Sequence, residues 1–218
     1  MLLSIIINFI PLILAIILHE LAHRYAALKC GDDTARTYQR LSFNPLKHID
    51  ILGTIIIPAL LLFSKTGFVF GWAKPVPVNF NKLRHPQRDT VIVASAGILA
   101  NIVIALISSL LLKLIILIPH QLTSGILTLF MLNMVIFNIV LAIFNSLPFP
   151  PLDGSKILLG WSNNPKIQKL LNSYKEGTLF IIFIIFIIPL ISRYLGFDFN
   201  PLGAFIIKSS KTVIGWLI

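Results

Sequence analysis

The sequence predicts an all-α polytopic membrane protein. Its core is three transmembrane helices, followed by one or two C-terminal helices, with a small re-entrant β-hairpin element between. Three observations carry this. Of 218 residues, 56% are hydrophobic and only 12% charged, with mean hydropathy +0.90; a water-soluble surface needs far more charge. Apolar runs of about 20 residues, the length that crosses a bilayer, recur along the chain. The 18 Lys and Arg, against 8 Asp and Glu, gather in a few loops between those runs, as basic loops do on the inner side of a membrane. The connecting segments are too short for a soluble module, so residues 1–218 read as one integral membrane domain.

The elements follow in order. Residues 2–18 are apolar except Ser4, Asn8 and Pro11, and the helix continues to about Leu28, where Gly31 supplies a stop. With no basic segment before it and no small-residue cleavage site after it, this run reads as a retained span and not a signal peptide. Lys29, Arg36, Arg40 and Lys47 follow. Residues 51–63, ILGTIIIPALLLF, are apolar but too short to cross, which suits a re-entrant or interfacial segment. Residues 64–90 are basic again, so both loops belong on one side. Residues 91–118 form a second span and 126–147 a third. A fourth covers 178–192, and the tail 200–218 is a surface helix or a fifth span. The charge bias places the N-terminus outside, with later loops in, out, in, out.

The net charge of +10 is explained by these loops. The basic residues form no helix stripe and no nucleic-acid-binding motif, so nucleic acid is excluded as a partner. Cys30 is the single cysteine, which excludes a disulfide framework and a cysteine-based metal site.

AIILHELAHRY, residues 15–25, then stands out. Ionisable groups at the end of a membrane span are costly and need a reason. Residues 2–18, at about 1.5 Å each, carry the helix about 26 Å into a core about 30 Å thick. His19 and His23 therefore lie just inside the cytoplasmic face. The third span ends on the same side, followed by NSLPFPPLDGS, residues 145–155. Its one acid, Asp153, is at the level of the histidines.

Residues i and i+4 share a helix face, so His19 and His23 can grip one ion. Glu20, about 100° round the helix, cannot easily be a third ligand on that face. It can take a proton from water activated by the metal and pass it to a leaving amine. Two histidines and a carboxylate suit Zn2+ with an open position for water. Peptide hydrolysis is what such a set does. Candidates for the third ligand are Asp32, Asp33, His48, Asp50 and Asp153. Asp32 and Asp33 also fit turn chemistry beside Gly31. Asp153 has the argument from depth. Pro148, Pro150 and Pro151 before it break the helix and impose an extended approach, and Gly154 allows a sharp turn behind it.

HELAH at 19–23 with NSLPFPPLDG at 145–154 resembles the site-2 protease family of intramembrane zinc metalloproteases. GDDTAR at 31–36, LSFNPLKHIDILGTIIIP at 41–58, GWAKPVPVN at 71–79 and AGILAN at 96–101 match its compact prokaryotic members. The resemblance covers roughly residues 10–160. It implies zinc held by His19, His23 and Asp153, Glu20 as general base, and a catalytic core of the first three spans over about residues 1–160, with C-terminal helices over about 161–218. Its implied substrates are transmembrane proteins in the lipid bilayer of the cell (inner) membrane, cut near the cytoplasmic face. The chain departs from the family at Ile98 and Asp33, where proline is usual, and at Ser155, where a second glycine is. No departure removes a ligand or the base.

Two further features bear on substrate. FVFGWAKPVPVNF, residues 68–80, reads as a β-hairpin-like element. Pro75 and Pro77 put their missing N–H groups on one edge. The other edge, with the N–H groups of Lys74, Val76 and Val78, can add a substrate strand; the plain alternative is a re-entrant loop whose prolines block aggregation. Ala94, Gly97, Asn101 and Ala105 form a small-residue stripe suited to close helix packing. The Asn101 amide is either part of that packing or a group that supports the transition state, and Asn145 has the same two readings. Against the protease stand a divalent-metal transporter and a catalytically silent scaffold. A transporter places such groups near mid-membrane, often on repeated halves, and no repeat is visible.

Overall fold

The computed structural model describes residues 2–38, 50–63, 78–117, 121–162, 164–171 and 173–218. Among these there are helices and no strand. Helix α1, Leu2–Lys29, is continuous through Pro11. It ends where Gly31 adopts φ +110°, a conformation that disfavours any side chain. There the N–H of Asp32 donates to Ala27 O and that of Gly31 to Leu28 O, the paired bonds that close a helix at a left-handed residue. The turn α2, Thr34–Thr37, follows.

Asp50 accepts the N–H of Gly53 at 2.7 Å and so starts a widened turn, Ile51–Ile56, that runs into α3, Ile57–Phe63. This segment is helical and too short to cross, as its length predicts. Residues 68–77 of the expected hairpin lie outside the described residues. Its last residue, Phe80, belongs to a 3-10 turn, Phe80–Lys82, so the expected strand does not reach the hairpin's end.

Helix α4, Pro86–Ile116, starts five residues before the expected second span. Pro86 is preset for a first helical turn, and Asp89 accepts the N–H of His85 at 2.9 Å. Then come α5, Gln121–Asn145, α6, Asp153–Trp161, and α7, Pro165–Leu171. Helices α8, Tyr174–Ile182, and α9, Ile188–Tyr194, are joined through a π turn at Phe183–Ile187. The last helix is α10, Pro201–Leu217.

Among the described residues, four stretches are long and apolar enough to cross a membrane: Ile7–Lys29, Pro86–Ile116, Gly125–Asn145 and Tyr174–Tyr194. Leu99, Val103, Ile107, Leu110 and Leu114 of α4 are each more than half exposed. Such a face is a liability in water and is satisfied by lipid. The chain is an integral membrane protein.

Helices α1, α4 and α5 touch one another pairwise, and α6 packs on α4. Leu12, Ala15 and Ile16 of α1 meet Leu141 of α5. Helix α10 lies along α5: Val213, Ile214 and Leu217 pack against Val135 and Ile139, while Ile206 joins Val140 and Phe144. The result is one end of the bundle where the second half of α1, the first half of α4 and the α5–α6 junction converge.

Candidate metal centre

At that end His19 and His23 project from α1 side by side, their Nε2 atoms 3.0 Å apart. Asp153 opens α6, preceded by an extended Leu152 at ψ 157°. Its Oδ2 lies 3.2 Å from His19 Nε2 and 3.0 Å from His23 Nε2. All three residues are buried. Leu152 alone is extended: the proline segment before it runs through bends and turns, with the Leu152 N–H donating to Phe149 O at 2.9 Å, so the extended approach expected from the prolines is not found, and no sharp turn follows Asp153. Gly154 lies inside the helix, and its missing side chain serves close approach: a Cβ there would come 2.3 Å from Ser146 O.

The hydrogen bonds behind the imidazoles fix which nitrogen faces the centre. His23 Nδ1 lies 2.7 Å from the carbonyl oxygen of Val93, and His19 Nδ1 lies 2.8 Å from Asn101 Oδ1. Oxygens of that kind only accept, so each Nδ1 donates and each Nε2 carries a lone pair in the neutral ring. Three lone-pair atoms then face one another at 3.0–3.2 Å with no proton among them. Asp153 Oδ2 is buried without a hydrogen-bond donor. Such a cluster calls for a cation, and its donor set matches zinc. Ligands at about 2.0–2.1 Å from a tetrahedral zinc sit about 3.3 Å apart, close to the spacing found.

Helix α4 makes room for the pair. Ala94, Gly97, Asn101 and Ala105 are all buried. A Cβ on Gly97 would come 2.4 Å from His23 Nε2, so the bare Cα leaves space for the imidazoles themselves. Within the stripe, Gly97 and Asn101 meet the candidate metal-binding pair, while Ala105 packs against Val135 and Ile139 of α5.

Glu20 borders the same space, with its side chain 21% exposed and Oε2 3.6 Å from Nη2 of the fully buried Arg24. Lys156 Nζ is 3.0 Å from Asp153 Oδ1. A cavity of about 520 Å³ opens beside these groups. Ile16, Leu141 and Phe144 line it from the core, Val78 and Phe80 from the loop, and Tyr174, Thr178, Ile181 and Ile185 from the π-turn rod.

The other sequence-predicted residues are placed as follows. Asn101 does not border the cavity; it is fully buried behind His19. Asn145 does border it, with its Nδ2 donating to Leu141 O at 3.0 Å. Val76 and His48 lie outside the described residues. Asp32, Asp33 and Asp50 are not at the centre: Asp32 accepts from the N–H groups of Thr34 and Asn79, Asp33 pairs with Lys82, and Asp50 caps Gly53. Sequence reasoning missed Lys156 as part of this centre, although Asp153 and Lys156 stand at i and i+3.

A Bacillus subtilis protein named putative zinc metalloprotease YwhC is 38% identical over 189 residues, covering 83% of this chain and 80% of the relative. The chain belongs to the site-2 protease-like family of zinc metalloproteases. A Mycolicibacterium smegmatis protein named putative zinc metalloprotease Rip2 is 27% identical over 205 residues, or 90% of this chain and 75% of that one. No family model matches the chain, and no solved structure matches it. As a metalloprotease of this family it is a membrane-embedded hydrolase that takes Zn2+, and His19, His23 and Asp153 are the described residues that could hold the ion.

Proposed function

We propose that this metalloprotease hydrolyses peptide bonds within or near transmembrane segments of membrane proteins. His19, His23 and Asp153 hold the zinc, and Glu20 is the general base. One observation carries the reading: the two histidines of the His–His–Asp triangle sit on a membrane-spanning helix, and the triangle borders a largely apolar cavity that Glu20 also lines.

Bound zinc supplies Lewis acidity, polarising a carbonyl and lowering the pKa of water to about 7. The chain's own groups do the rest. Glu20 takes the proton of the attacking water and passes it to the leaving amine. The Arg24 guanidinium, 3.6 Å from Glu20, attracts the carboxylate toward the helix at that distance without a hydrogen bond. The apolar wall keeps bulk water out and receives side chains of an unwound segment. Unwinding is required, because a membrane helix hides its carbonyls in i to i−4 bonds. The edge carrying Lys74, Val76 and Val78 receives the extended strand. Val76→Pro then impairs cleavage with zinc retained; unaffected cleavage removes that role.

The site lies near the cytoplasmic face of the cell membrane, as the charge bias of the loops places it. Residues up to about 160 form the catalytic core, and the helices beyond it complete the cavity wall. The transporter and scaffold readings are not favoured, since the ligand set is gathered at one end with an acid poised beside it.

The test is bound zinc per chain in detergent-purified wild type beside Asp153→Ala, with cleavage of transmembrane segments measured against Glu20→Gln. About one zinc, lost in Asp153→Ala, and cleavage abolished in Glu20→Gln with zinc retained are expected. Folded wild type without zinc overturns the reading.

A further inference from the structure

We infer that Lys156 is a positioning residue of the metal centre: its ammonium occupies one oxygen of Asp153 and leaves the other alone to face the histidines. The inference rests on Asp153 being a zinc ligand. The carboxylate is divided between two partners. Oδ2 lies 3.2 and 3.0 Å from the two imidazole Nε2 atoms, while Oδ1 lies 3.0 Å from Lys156 Nζ. Positions i and i+3 of α6 place both side chains on one helix face, so the division follows from the first turn of that helix.

Lys156 has no need to be there as a membrane anchor. Its side chain is three-quarters buried, at 25% exposure, and it lines the cavity with Glu20, Asp153 and Tyr174. The loop lysines that set topology keep their heads in water. A largely buried ammonium is unfavourable unless a carboxylate meets it, and the carboxylate it meets is one of the three candidate ligands.

The chemistry of that arrangement is specific. A free carboxylate can approach a metal with one oxygen or with both. An ammonium held on Oδ1 makes the second oxygen unavailable, fixes the rotation of the carboxyl group and preserves the open position that a hydrolytic zinc site needs. Partners of this kind, one shell out from the ligands, change metal affinity about 10- to 100-fold when removed.

The experiment uses the full chain in detergent and compares wild type with Lys156→Met, Lys156→Arg and Asp153→Ala. Zinc affinity is read by competition with a chromophoric chelator, and coordination by the visible absorption of the Co2+-substituted protein. Lys156→Met is expected to weaken zinc about 10- to 100-fold and to change the Co2+ spectrum. Lys156→Arg, whose guanidinium can still reach Oδ1, is expected to restore most of both. Should Lys156→Met fail to fold, Lys156→Gln replaces it and must fall between wild type and Asp153→Ala. Wild-type zinc affinity and spectrum in the Lys156 variants, with zinc lost in Asp153→Ala, overturn the inference while the metal centre stands. The inference falls in that case even if turnover drops, because Lys156 then acts on substrate. Zinc retained in Asp153→Ala overturns both.

Discussion

Gly97 and His23 are so close that a Cβ on the glycine would lie 2.4 Å from the imidazole Nε2. The same atom would come 2.6 Å from Cε1 of His19. Overpacking of this kind costs about 1–3 kcal/mol, and here the strain falls on the rings of the two candidate ligands. Gly→Ala within a helix otherwise favours the helix by about 1 kcal/mol. Gly97→Ala is therefore expected to destabilise the metal-free protein by no more than about 2 kcal/mol, while zinc affinity drops roughly tenfold or more, at about 1.4 kcal/mol per decade. Thermal unfolding of the metal-free protein and a zinc titration check the two halves separately. Unchanged zinc affinity would mean that α4 moves aside.

The His19–His23 pair and Asp153 are legible in the sequence because each follows from a simple rule. Two histidines four apart share a helix face, and two spans of known length end at the same depth. The long helices are legible from hydropathy, but their starts are not. Pro86 and Asp89 begin α4 within a stretch whose charges read as loop, because capping offsets low hydropathy there. The turn expected behind Asp153 is a helix instead: Gly154 suggests backbone freedom, whereas its use is the contact with Ser146 O. Asn101 can be singled out from the sequence but not assigned. Whether an amide faces a cavity or the back of a ligand depends on helix rotation to within a few tens of degrees. Lys156 is hidden by its loop: beside Lys166, Lys169 and Lys175 it reads as one more topology charge.

Asn101 stands behind His19, a candidate ligand. Its Oδ1 lies 2.8 Å from His19 Nδ1, so Asn101→Ala leaves a buried N–H without an acceptor, at a cost of about 1–3 kcal/mol. Zinc affinity is expected to fall about 10- to 100-fold. Asn101→Asp keeps an acceptor in place and is expected to bind zinc as wild type does, or more tightly. If Asn101→Ala instead keeps its zinc and loses turnover, the amide acts on the transition state.

Asp32 ties the cavity's loop wall to the end of α1. It is 1% exposed and accepts the N–H of Asn79 at 2.8 Å and that of Thr34 at 3.0 Å, with the Thr34 hydroxyl as a further donor. Val78 and Phe80, on either side of Asn79, line the cavity. Asp32→Ala removes the acceptor of three part-buried hydrogen bonds and is expected to cost about 2–4 kcal/mol, less than the sum of about 1.5–3 kcal/mol per bond to a charged acceptor, because the freed donors reach water. Urea or thermal unfolding in detergent measures that loss, and substrate KM should rise with zinc content unchanged. A Tm and KM equal to wild type would show that the loop holds its place without Asp32.

Cys30 tests the orientation of the whole site. It is the only cysteine, and it lies just past the end of α1, about 10 Å beyond His23. Burial raises its thiol pKa above the ordinary 9.0, and the Asp89 carboxylate adds to this against the opposing pull of Arg88 and Arg84. The thiolate is the reactive form. Alkylation at neutral pH should therefore be slower than for a free thiol, rising about tenfold per pH unit and levelling only above pH 9. A membrane-impermeant maleimide, applied at alkaline pH to sealed vesicles of either orientation, is expected to label Cys30 only in inside-out vesicles. Labelling only in right-side-out vesicles would reverse the topology drawn from the basic loops. His19, His23 and Asp153 would then face the outside, and substrates would be met from that side of the membrane.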